Sequence, residues 1–476
     1  MARIAFVQNL LFEYLGLMYL SSLLKSNGHE CEMFIKLGSD ESLARDIIRY
    51  SPHIVAFPCL TGSHRWCLSL AKILKQKNPK LITLFGGPHP TFYPGIINEP
   101  EVDVICRGEG ENAMLDLAAS IDKKENHSLT ANLWVKNSDA VTQNEVRPLI
   151  PDLDRMPFPD RELYYRKYPF LNISRKSFLT SRGCPYKCSF CFNHILQKIY
   201  QDKGVYLRRR AVKNVIEEIS EVKRTYGLRT VYFQDDTFIL DRDWVMAFLE
   251  AYGKEINLPF ICLIRADLTD EKLIVTLKEA GCVKVYFGVE SGDQEMRNTL
   301  LQKNITDEMI IRTAAWLKKY RIRFRTYNMI GLPGETLEQA FKTVALNARI
   351  KTDYPWCSIY QPYPETELGT YALRQGLLDV SQDKILPSFF KDSILRSSWK
   401  KELVNLQKLF FYAVKFPRME NLIRRAIRLP PNFLFDLLFL CGNAYAYAGS
   451  EQLRLNEFFL FGFYNLKNFF TKMQDN

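Results

Sequence analysis

The stretch Gly183-Cys184-Pro185-Tyr186-Lys187-Cys188-Ser189-Phe190-Cys191-Phe192 sets three cysteines at gaps of three and two residues. A loop with that spacing can turn three thiolates toward one face. Soft thiolates at this density suit zinc or an iron–sulfur cluster. Structural zinc takes four protein ligands. No fourth Cys or His stands at a zinc-like spacing, and His194 follows too closely to complete a tetrahedron easily. Three thiolates leave a four-iron cluster with one open iron, able to bind a small molecule. A disulfide needs an oxidising compartment, and nothing in the sequence indicates one. Cys184, Cys188 and Cys191 are therefore the candidate metal ligands and catalytic residues, with a cluster favoured over zinc.

A βα series surrounds this loop. Ser177 to Thr180 reads as its first strand, and further strands are expected at Val231–Phe233, Phe260–Ile264, Val283–Phe287, Arg323–Met329 and Trp356–Tyr360. Helical periods fill the gaps, at Val212–Tyr226 and at 242–254, 270–280, 306–319 and 335–349. Six strands with helical crossovers predict a partial (βα)6, TIM-like barrel, in which function gathers at the strand C-termini. Polar residues stand there: Asp235-Asp236, Arg265, Glu290-Ser291-Gly292, Gly331-Leu332-Pro333-Gly334-Glu335, and Gln361 with Tyr363. Each alone also reads as a cap or turn; Asp236 suits a helix N-cap and Gly334-Glu335 a helix start.

Upstream, residues 1–145 alternate short apolar runs with helical periods. Strands are expected at Ile4–Val7, Glu32–Ile35, His53–Phe57, Leu81–Phe85 and Val102–Cys106, with helices at Gly16–Lys25 and Arg65–Lys77. This is the pattern of an α/β, doubly wound, Rossmann-like parallel sheet covered on both faces. Ligands of such sheets bind at the carboxyl ends of the strands. The glycine-rich loops 86–90 and 107–111 lie there, where missing side chains let a ligand approach the backbone. Residues 146–175 form a linker with five prolines between 147 and 169, expected to run extended from one domain to the next. The barrel occupies 176–385, and 386–476 reads as a C-terminal helical region.

The three-then-two cysteine spacing, with the aromatic Phe190 just before the last Cys, resembles the signature of the radical S-adenosylmethionine (SAM) enzymes. That resemblance implies a [4Fe–4S] cluster on Cys184, Cys188 and Cys191, with SAM chelating the open iron through its amino and carboxylate groups. One-electron reduction then cleaves SAM to a 5′-deoxyadenosyl radical. It also implies Asp235 or Asp236 at the amino group and Glu290 and Ser291 at the ribose or methionine end. Backbone near Phe190 and around Ile330 and Gly331 would read the adenine. Arg265 suits the SAM carboxylate through paired donors.

The leading domain, placed directly before such a core, resembles the cobalamin-binding domain of the cobalamin-dependent radical SAM enzymes. Tyr14-Leu15-Gly16-Leu17, Thr61-Gly62-Ser63, Gly86-Gly87-Pro88-His89 and Arg107-Gly108-Glu109-Gly110-Glu111 carry the match. The implied cobalamin contacts are Thr61, Gly62, Ser63, Gly86, Gly87, Pro88, His89, Gly108 and Glu109. The His-on-cobalt motif needs Asp two residues before His, and none of the six histidines has it. Cobalamin is therefore expected base-off, and His89 reads as a polar loop residue or, alternatively, as a ligand.

The remaining numbers bound the partners. The chain has 476 residues, too many for one core. Of eleven cysteines, Cys59, Cys106, Cys262 and Cys282 sit singly in apolar contexts and read as buried thiols of a reducing cytoplasm. No signal peptide follows Met1, and no apolar run is long enough to span a bilayer. Net charge is +11, and Lys391–Asn476 holds 13 Lys+Arg against 7 Asp+Glu. No nucleic-acid module accompanies that excess, so no nucleic-acid partner is expected. Leu403, Leu406, Phe410 and Val414 share one helical face, Phe433–Leu440 is apolar apart from Asp436, and Phe458–Phe470 is strongly aromatic. This tail reads as a helical cap or as an interfacial segment that touches a membrane peripherally.

The resemblance implies a methyltransferase that acts on an unactivated carbon of a small molecule, and the greasy tail and aromatic-rich chain hint at a lipid, terpenoid or tetrapyrrole. An electron donor such as flavodoxin or ferredoxin is implied with it. A radical cyclase or ring-rearranging enzyme uses the same parts without methyl transfer. A cobalamin- or nucleic-acid-binding sensor with a regulatory cluster is the reading from another class. A tRNA methylthiotransferase would need three more cysteines gathered in the first domain, and Cys31, Cys59, Cys67 and Cys106 are not so placed.

Overall fold

Apolar runs bounded by Gly, Asn and Pro become the strands of two separate parallel sheets in the computed structural model, which describes residues 1–137, 140–385 and 388–451. The first unit holds Met1–Ile173 together with Leu196–Val205; the second holds Ser174–Ile195 and the described residues from Tyr206 onward.

In the first unit the elements are β1 (Arg3–Gln8), α1 (Leu15–Ser26), β2 (Glu30–Ile35), α2 (Asp40–Tyr50), β3 (Ile54–Pro58), α3 (His64–Lys77), β4 (Ile82–Gly86), a short α4 (Pro88–Phe92), β5 (Val104–Cys106), α5 (Glu111–Lys123), β6 (Leu133–Lys136) and β7 (Val141–Gln143). The sheet order is β2-β1-β3-β4-β5-β6-β7. The first five strands are parallel, and β6 and β7 add an antiparallel hairpin that the sequence reading passed over. The order reverses between β1 and β3, which makes that edge a topological switch point. Strands buried along nearly their whole length, such as Ile4–Val7, need helices on both faces. α2, also unnamed by the sequence reading, supplies Leu43, Ala44 and Ile47 to this core, and Ser39 caps it by accepting from the Ser42 N–H.

Residues 147–173, expected to run as an extended span, belong to this first unit. Asp160 accepts from Ser21 Oγ and Lys25 Nζ, both at 2.6 Å. In α6 (Glu162–Tyr165), Tyr164 donates its hydroxyl to Gln8 Oε1 at 2.8 Å. The Tyr168 hydroxyl accepts from the Ile35 N–H at 2.8 Å.

In the second unit β8 (Arg175–Phe178), β11 (Thr230–Phe233), β12 (Phe260–Leu263), β13 (Cys282–Glu290), β14 (Arg323–Ile330) and β15 (Tyr354–Ile359) pair in sequence order, all parallel. A separate pair, β9 (Ser181–Arg182) and β10 (Arg208–Arg209), brackets the cysteine loop and α7 (Phe192–Ile199). The crossovers are α8 (Val212–Tyr226), α9 (Arg242–Glu255), α10 (Glu271–Glu279), α11 (Asp307–Lys319) and α12 (Leu337–Arg349). This is the expected open βα barrel. Asp241, Asp270 and Thr306 cap α9, α10 and α11 with side-chain oxygens. Between sheet and helices lies an aromatic core of Phe233, Phe238, Phe248, Tyr252 and Phe260. Gly292 lets the turn after β13 lie on α12; a Cβ there would stand 2.2 Å from the Lys342 carbonyl oxygen.

After α13 (Glu367–Arg374) the tail forms α14 (Lys400–Lys415), α15 (Glu420–Ala426) and α16 (Phe433–Glu451). Leu403, Leu406, Phe410 and Val414 are buried together against Ile330, Phe341 and Ile359, so the helical cap is real. No described helix is long and apolar enough to cross a membrane. The aromatic run Phe458–Phe470 lies outside the described residues.

The turn after β14 depends on one buried acid. Glu335 Oε2 accepts from the N–H groups of Gly331 and Leu332, and the Trp399 indole donates to the Glu335 carbonyl at 2.7 Å. Burial pushes the Glu335 carboxyl up to about 8, against the pull of those two donors. A folded pKa above the unfolded one gives stability that is complete below the unfolded value and lost as pH rises through the folded one. Stability of this unit should therefore fall between about pH 4.5 and 8, and Glu335→Gln should flatten that fall. Thermal melts of both proteins across this range provide the check.

Candidate active site

The cysteine loop leaves β9 through Gly183, whose φ is 94°. A Cβ there would lie 2.5 Å from the Tyr206 carbonyl oxygen, so the exit requires glycine. Cys188 is buried; Cys184 and Cys191 are half-buried, and all three are free thiols. Burial pushes Cys191 up to about 12, with Cys188, Asp236 and Cys184 adding to it. Burial also raises Cys184, with Asp236 and Cys188 adding and Arg265 opposing. The three sulfurs thus share one field, and metal binding there would release protons. Among the described residues no three His, Cys, Asp or Glu side chains gather around a single ion. A cubane makes a different demand, since it spreads its thiolates over separate irons. Two N–H donors already aim at sulfur: Asn193 Nδ2 at Cys191 Sγ, 3.9 Å, and Arg265 Nη1 at Cys188 Sγ, 3.8 Å. The residues present fit a [4Fe–4S] cluster. His194 stands 3.4 Å from Glu367 Oε1.

Around the loop, the strand-end residues divide. Asp235 is fully buried and accepts from the Thr180 N–H, the Thr180 hydroxyl at 2.7 Å and the Ser181 hydroxyl. It therefore clamps the segment that enters the cysteine loop. Asp236 opens to solvent, and its carboxylate acts on Cys184 and Cys191. Glu290, at a φ of 63°, pairs with the Lys303 ammonium at 2.6 Å. Ser291 is fully buried; its hydroxyl accepts from the Asp293 N–H, and its carbonyl accepts from Arg297. Phe190 packs with Met296, Leu301, Leu332, Tyr360 and Leu368. Ile330 is core, its carbonyl taken by the Tyr360 N–H at 2.9 Å, and the Gly331 N–H is held by Glu335. Sequence reasoning missed Asn193, Lys303 and the Thr180-Ser181 clamp. Thr180 ends the expected first strand, but nothing in the linear pattern pairs it with Asp235, and Ser181, Asn193 and Lys303 lie outside the expected strand ends.

The glycine loops of the first unit also come together at strand ends. Thr61, Gly62 and Ser63 follow β3; Gly86 ends β4, and Gly87, Pro88 and His89 follow it; Gly108 and Glu109 follow β5. Gly87 has a φ of 95°, and a Cβ there would stand 3.3 Å from the Cys59 carbonyl oxygen. The His89 N–H donates to that same carbonyl at 3.0 Å, so the loops after β3 and β4 form one surface. The His89 Nδ1 lies 3.0 Å from the Thr61 hydroxyl, and the ring stacks on His64 at 4.2 Å. Burial, with His64 beside it, pushes His89 down to about 3, so the ring is neutral. Its Nε2 is buried without a hydrogen-bond partner. The Ser63 hydroxyl turns back to the Leu60 carbonyl. Glu109 accepts from the Ile150 N–H at 3.0 Å, and its own N–H donates to the Tyr200 hydroxyl at 2.7 Å. Tyr200 was not foreseen; it lies so close to Gly108 that a Cβ there would meet its hydroxyl at 1.9 Å. Small residues, bare backbone and an orphaned neutral nitrogen at a switch-point edge fit cobalamin, a large flat ligand fringed with amides.

The family model described as the B12 binding domain matches residues 9–118, and that of the Radical SAM superfamily matches residues 178–346. The chain is 30% identical over 371 residues to the uncharacterized methyltransferase PH0819 of Pyrococcus horikoshii, covering 76% of this chain and 79% of that protein. It is 27% identical over 366 residues to the anaerobic magnesium-protoporphyrin IX monomethyl ester cyclase of Rubrivivax gelatinosus, covering 74% of this chain and 64% of that one. The solved structure of OxsB, a cobalamin-dependent SAM radical enzyme with aqua-cobalamin and SAM bound, has the same fold, with a TM-score of 0.68. That match has 15% identity over 98% of this chain and 75% of the other. With one model on each sheet and a relative spanning both, the chain belongs to the cobalamin-dependent radical SAM enzymes, which hold a [4Fe–4S] cluster, SAM and cobalamin.

Proposed function

We propose that this enzyme is a C-methyltransferase that places a methyl group on an unactivated carbon of a small apolar molecule. The observation that carries this reading is the presence, in one chain, of a three-thiol loop and of a sheet whose strand-end loops suit cobalamin. The methyltransferase name of the Pyrococcus relative supports it. When bound, the cluster and SAM supply a carbon-centred oxidant by one-electron reductive cleavage, and cobalamin supplies a transferable methyl group.

The chain's own residues bind and orient. Cys184, Cys188 and Cys191 hold the cluster, and Asp235 fixes the backbone from which their loop departs. Asp236 offers a carboxylate beside the cysteines to the SAM amino group. Glu290 is held ready by Lys303 for the ribose or methionine end. Phe190 and the turn at Ile330–Gly331 make an apolar wall suited to adenine. In the first unit Thr61, Gly87, His89 and Gly108 receive cobalamin. The electron comes from a one-electron donor of the flavodoxin or ferredoxin class.

The cyclase name of the Rubrivivax relative favours a second reading, ring closure without methyl transfer. It also supports a tetrapyrrole-like or comparably apolar substrate. Contact with an anionic membrane surface belongs to the proposal too. Phe416, Leu422, Phe433, Leu434 and Leu437 are exposed beside exposed Arg418, Arg425 and Arg428. Exposed apolar side chains and arginines alternating along these segments suit an interface of acyl chains under phosphate headgroups.

Alanine at each of Cys184, Cys188 and Cys191 should abolish 5′-deoxyadenosine formation in oxygen-free, reconstituted protein while cobalamin still binds; chromatography and the corrin absorption spectrum report the two. Asp236→Asn should keep iron content and weaken SAM binding roughly 10–100-fold, the value of one charge-assisted hydrogen bond. Asp235→Asn should instead lower iron content, since it loosens the loop. Feeding methyl-labelled SAM should yield product heavier by one labelled methyl group; an unlabelled cyclised product would establish the second reading instead. Co-sedimentation with phosphatidylglycerol vesicles should fall on Phe433→Ser/Leu437→Ser, and no binding by the parent would remove the membrane from the proposal.

A further inference from the structure

Arg265 suits a SAM carboxylate on sequence grounds, yet its guanidinium has other partners. Nε donates to Asp267 Oδ1 at 3.1 Å and Nη2 to Asp267 Oδ2 at 3.2 Å. Nη2 also reaches the Lys303 carbonyl at 2.9 Å. The face of the guanidinium lies over the Tyr186 ring, 3.4 Å from its centroid. Nη1 points at Cys188 Sγ, 3.8 Å away. The side chain is 9% exposed. Three groups of the second unit, the Asp267 carboxylate, the Lys303 carbonyl and the Tyr186 ring, therefore hold this cation against one cysteine sulfur. Tyr186 is on the cysteine loop itself, so cation and loop are held together rather than merely near.

We propose that Arg265 is a positioning residue that sets the reduction potential of the cluster by donating to the Cys188 thiolate. Reduction adds one negative charge to the cluster. A cation and an N–H···S bond at a ligating sulfur stabilise that added charge and raise the potential. Burial keeps water from screening the effect. Asp267 works in the opposite sense: its carboxylate grips the far edge of the guanidinium and cancels part of its field. The pair is thus a tuned charge, aimed at one sulfur. The inference rests on the cluster that the family carries and does not depend on which substrate is methylated or cyclised.

The test is a redox titration of the full chain, reconstituted without oxygen and read by electron paramagnetic resonance, with iron and sulfide per chain measured alongside. Arg265→Gln should shift the midpoint to more negative potential, and Arg265→Lys should fall between it and the parent. Asp267→Asn should shift it the other way, to more positive potential. With a weak reductant Arg265→Gln should form 5′-deoxyadenosine more slowly, and a stronger reductant should narrow the gap. Should Arg265→Gln fail to load iron, Asp267→Asn decides alone: a positive shift upholds the proposal. Unchanged midpoints in iron-replete variants overturn it. A parent chain that binds no iron would instead defeat the family reading, an outcome separate from these.

Discussion

A single buried carboxylate governs where the chemistry can sit. Asp235 has no contact with solvent, and an isolated charge there would be costly. Burial raises its pKa, while hydrogen bonds from Ser181 and Thr180 and the field of Arg209 draw it back. The compensation is geometric as well as electrostatic. The hydrogen-bond donors, Thr180 and Ser181, lie between β8 and the exit at Gly183, so satisfying the acid fixes the path of the backbone. The thiols of Cys184, Cys188 and Cys191 are carried on that path. Ser189 completes the restraint from the far side: its N–H donates to the Leu301 carbonyl at 3.1 Å and its hydroxyl to the Leu300 carbonyl at 2.6 Å. A loop tied at both ends presents its sulfurs without having to order itself when metal arrives, which lowers the entropic cost of binding.

Backbone strain is found in the same place. Glu290 takes a positive φ although it has a full side chain, a conformation that costs on the order of 1–3 kcal/mol. Its Lys303 partner supplies the compensation, and Gly288 makes room for it. A Cβ on Gly288 would stand 1.8 Å from Glu290 Oε1 and 2.4 Å from Lys303 Nζ. The outcome is a carboxylate directed by strain and held by a cation, both nearly buried. A flexible acid on a relaxed strand end would need neither. Lys303 also gives its carbonyl to Arg265, so the residue that steadies Glu290 steadies the guanidinium beside Cys188.

Both sheets were legible because parallel strands are buried on both faces and therefore read as unbroken apolar runs. The six strands of the second unit's large sheet fall at or beside those runs, with β8 two residues earlier than the expected Ser177–Thr180. The division of labour at the strand ends was not legible. Neighbouring residues of an extended chain point to opposite sides, so one of Asp235 and Asp236 had to be inside, but identical side chains cannot say which. Only the Thr180 and Ser181 hydroxyls decide it, and they come from another strand. The partners of Arg265 were not legible for a similar reason. Its carboxylate partner, Asp267, is two residues on, a spacing that no helix or strand rule pairs, and its ring partner comes from a loop about eighty residues earlier. Tyr200 gave no signal at all, since a lone tyrosine after the cysteine loop says nothing about a glycine near residue 108. The span 147–173 misled by its prolines, which favour extended chain but do not prevent Tyr164 and Tyr168 from anchoring to β1 and β2.

The two units answer different ligands with the same edge of a parallel sheet. SAM is small and carries a sulfonium, an ammonium and a carboxylate, so the surroundings proposed for it carry charge: Asp236, and Glu290 with Lys303. Cobalamin is large, flat and nearly neutral over most of its surface, and the edge of the first unit proposed for it offers small residues and bare backbone at Thr61, Gly62, Gly87 and Gly108. His89 is a polar ring among them, and its surroundings explain how it is tolerated. Stacking on His64 and near-complete burial both penalise a charged imidazole, and the Thr61 hydroxyl satisfies one nitrogen. A neutral ring with one nitrogen satisfied and one bare could exchange a hydrogen bond with an amide of a bound cofactor without adding a charge to the site. An aspartate two residues before the histidine would make the imidazole more basic and a stronger metal ligand. Gly87 stands there instead, at a φ that favours glycine, so the backbone turn that brings the loop against Cys59 also disfavours that acid.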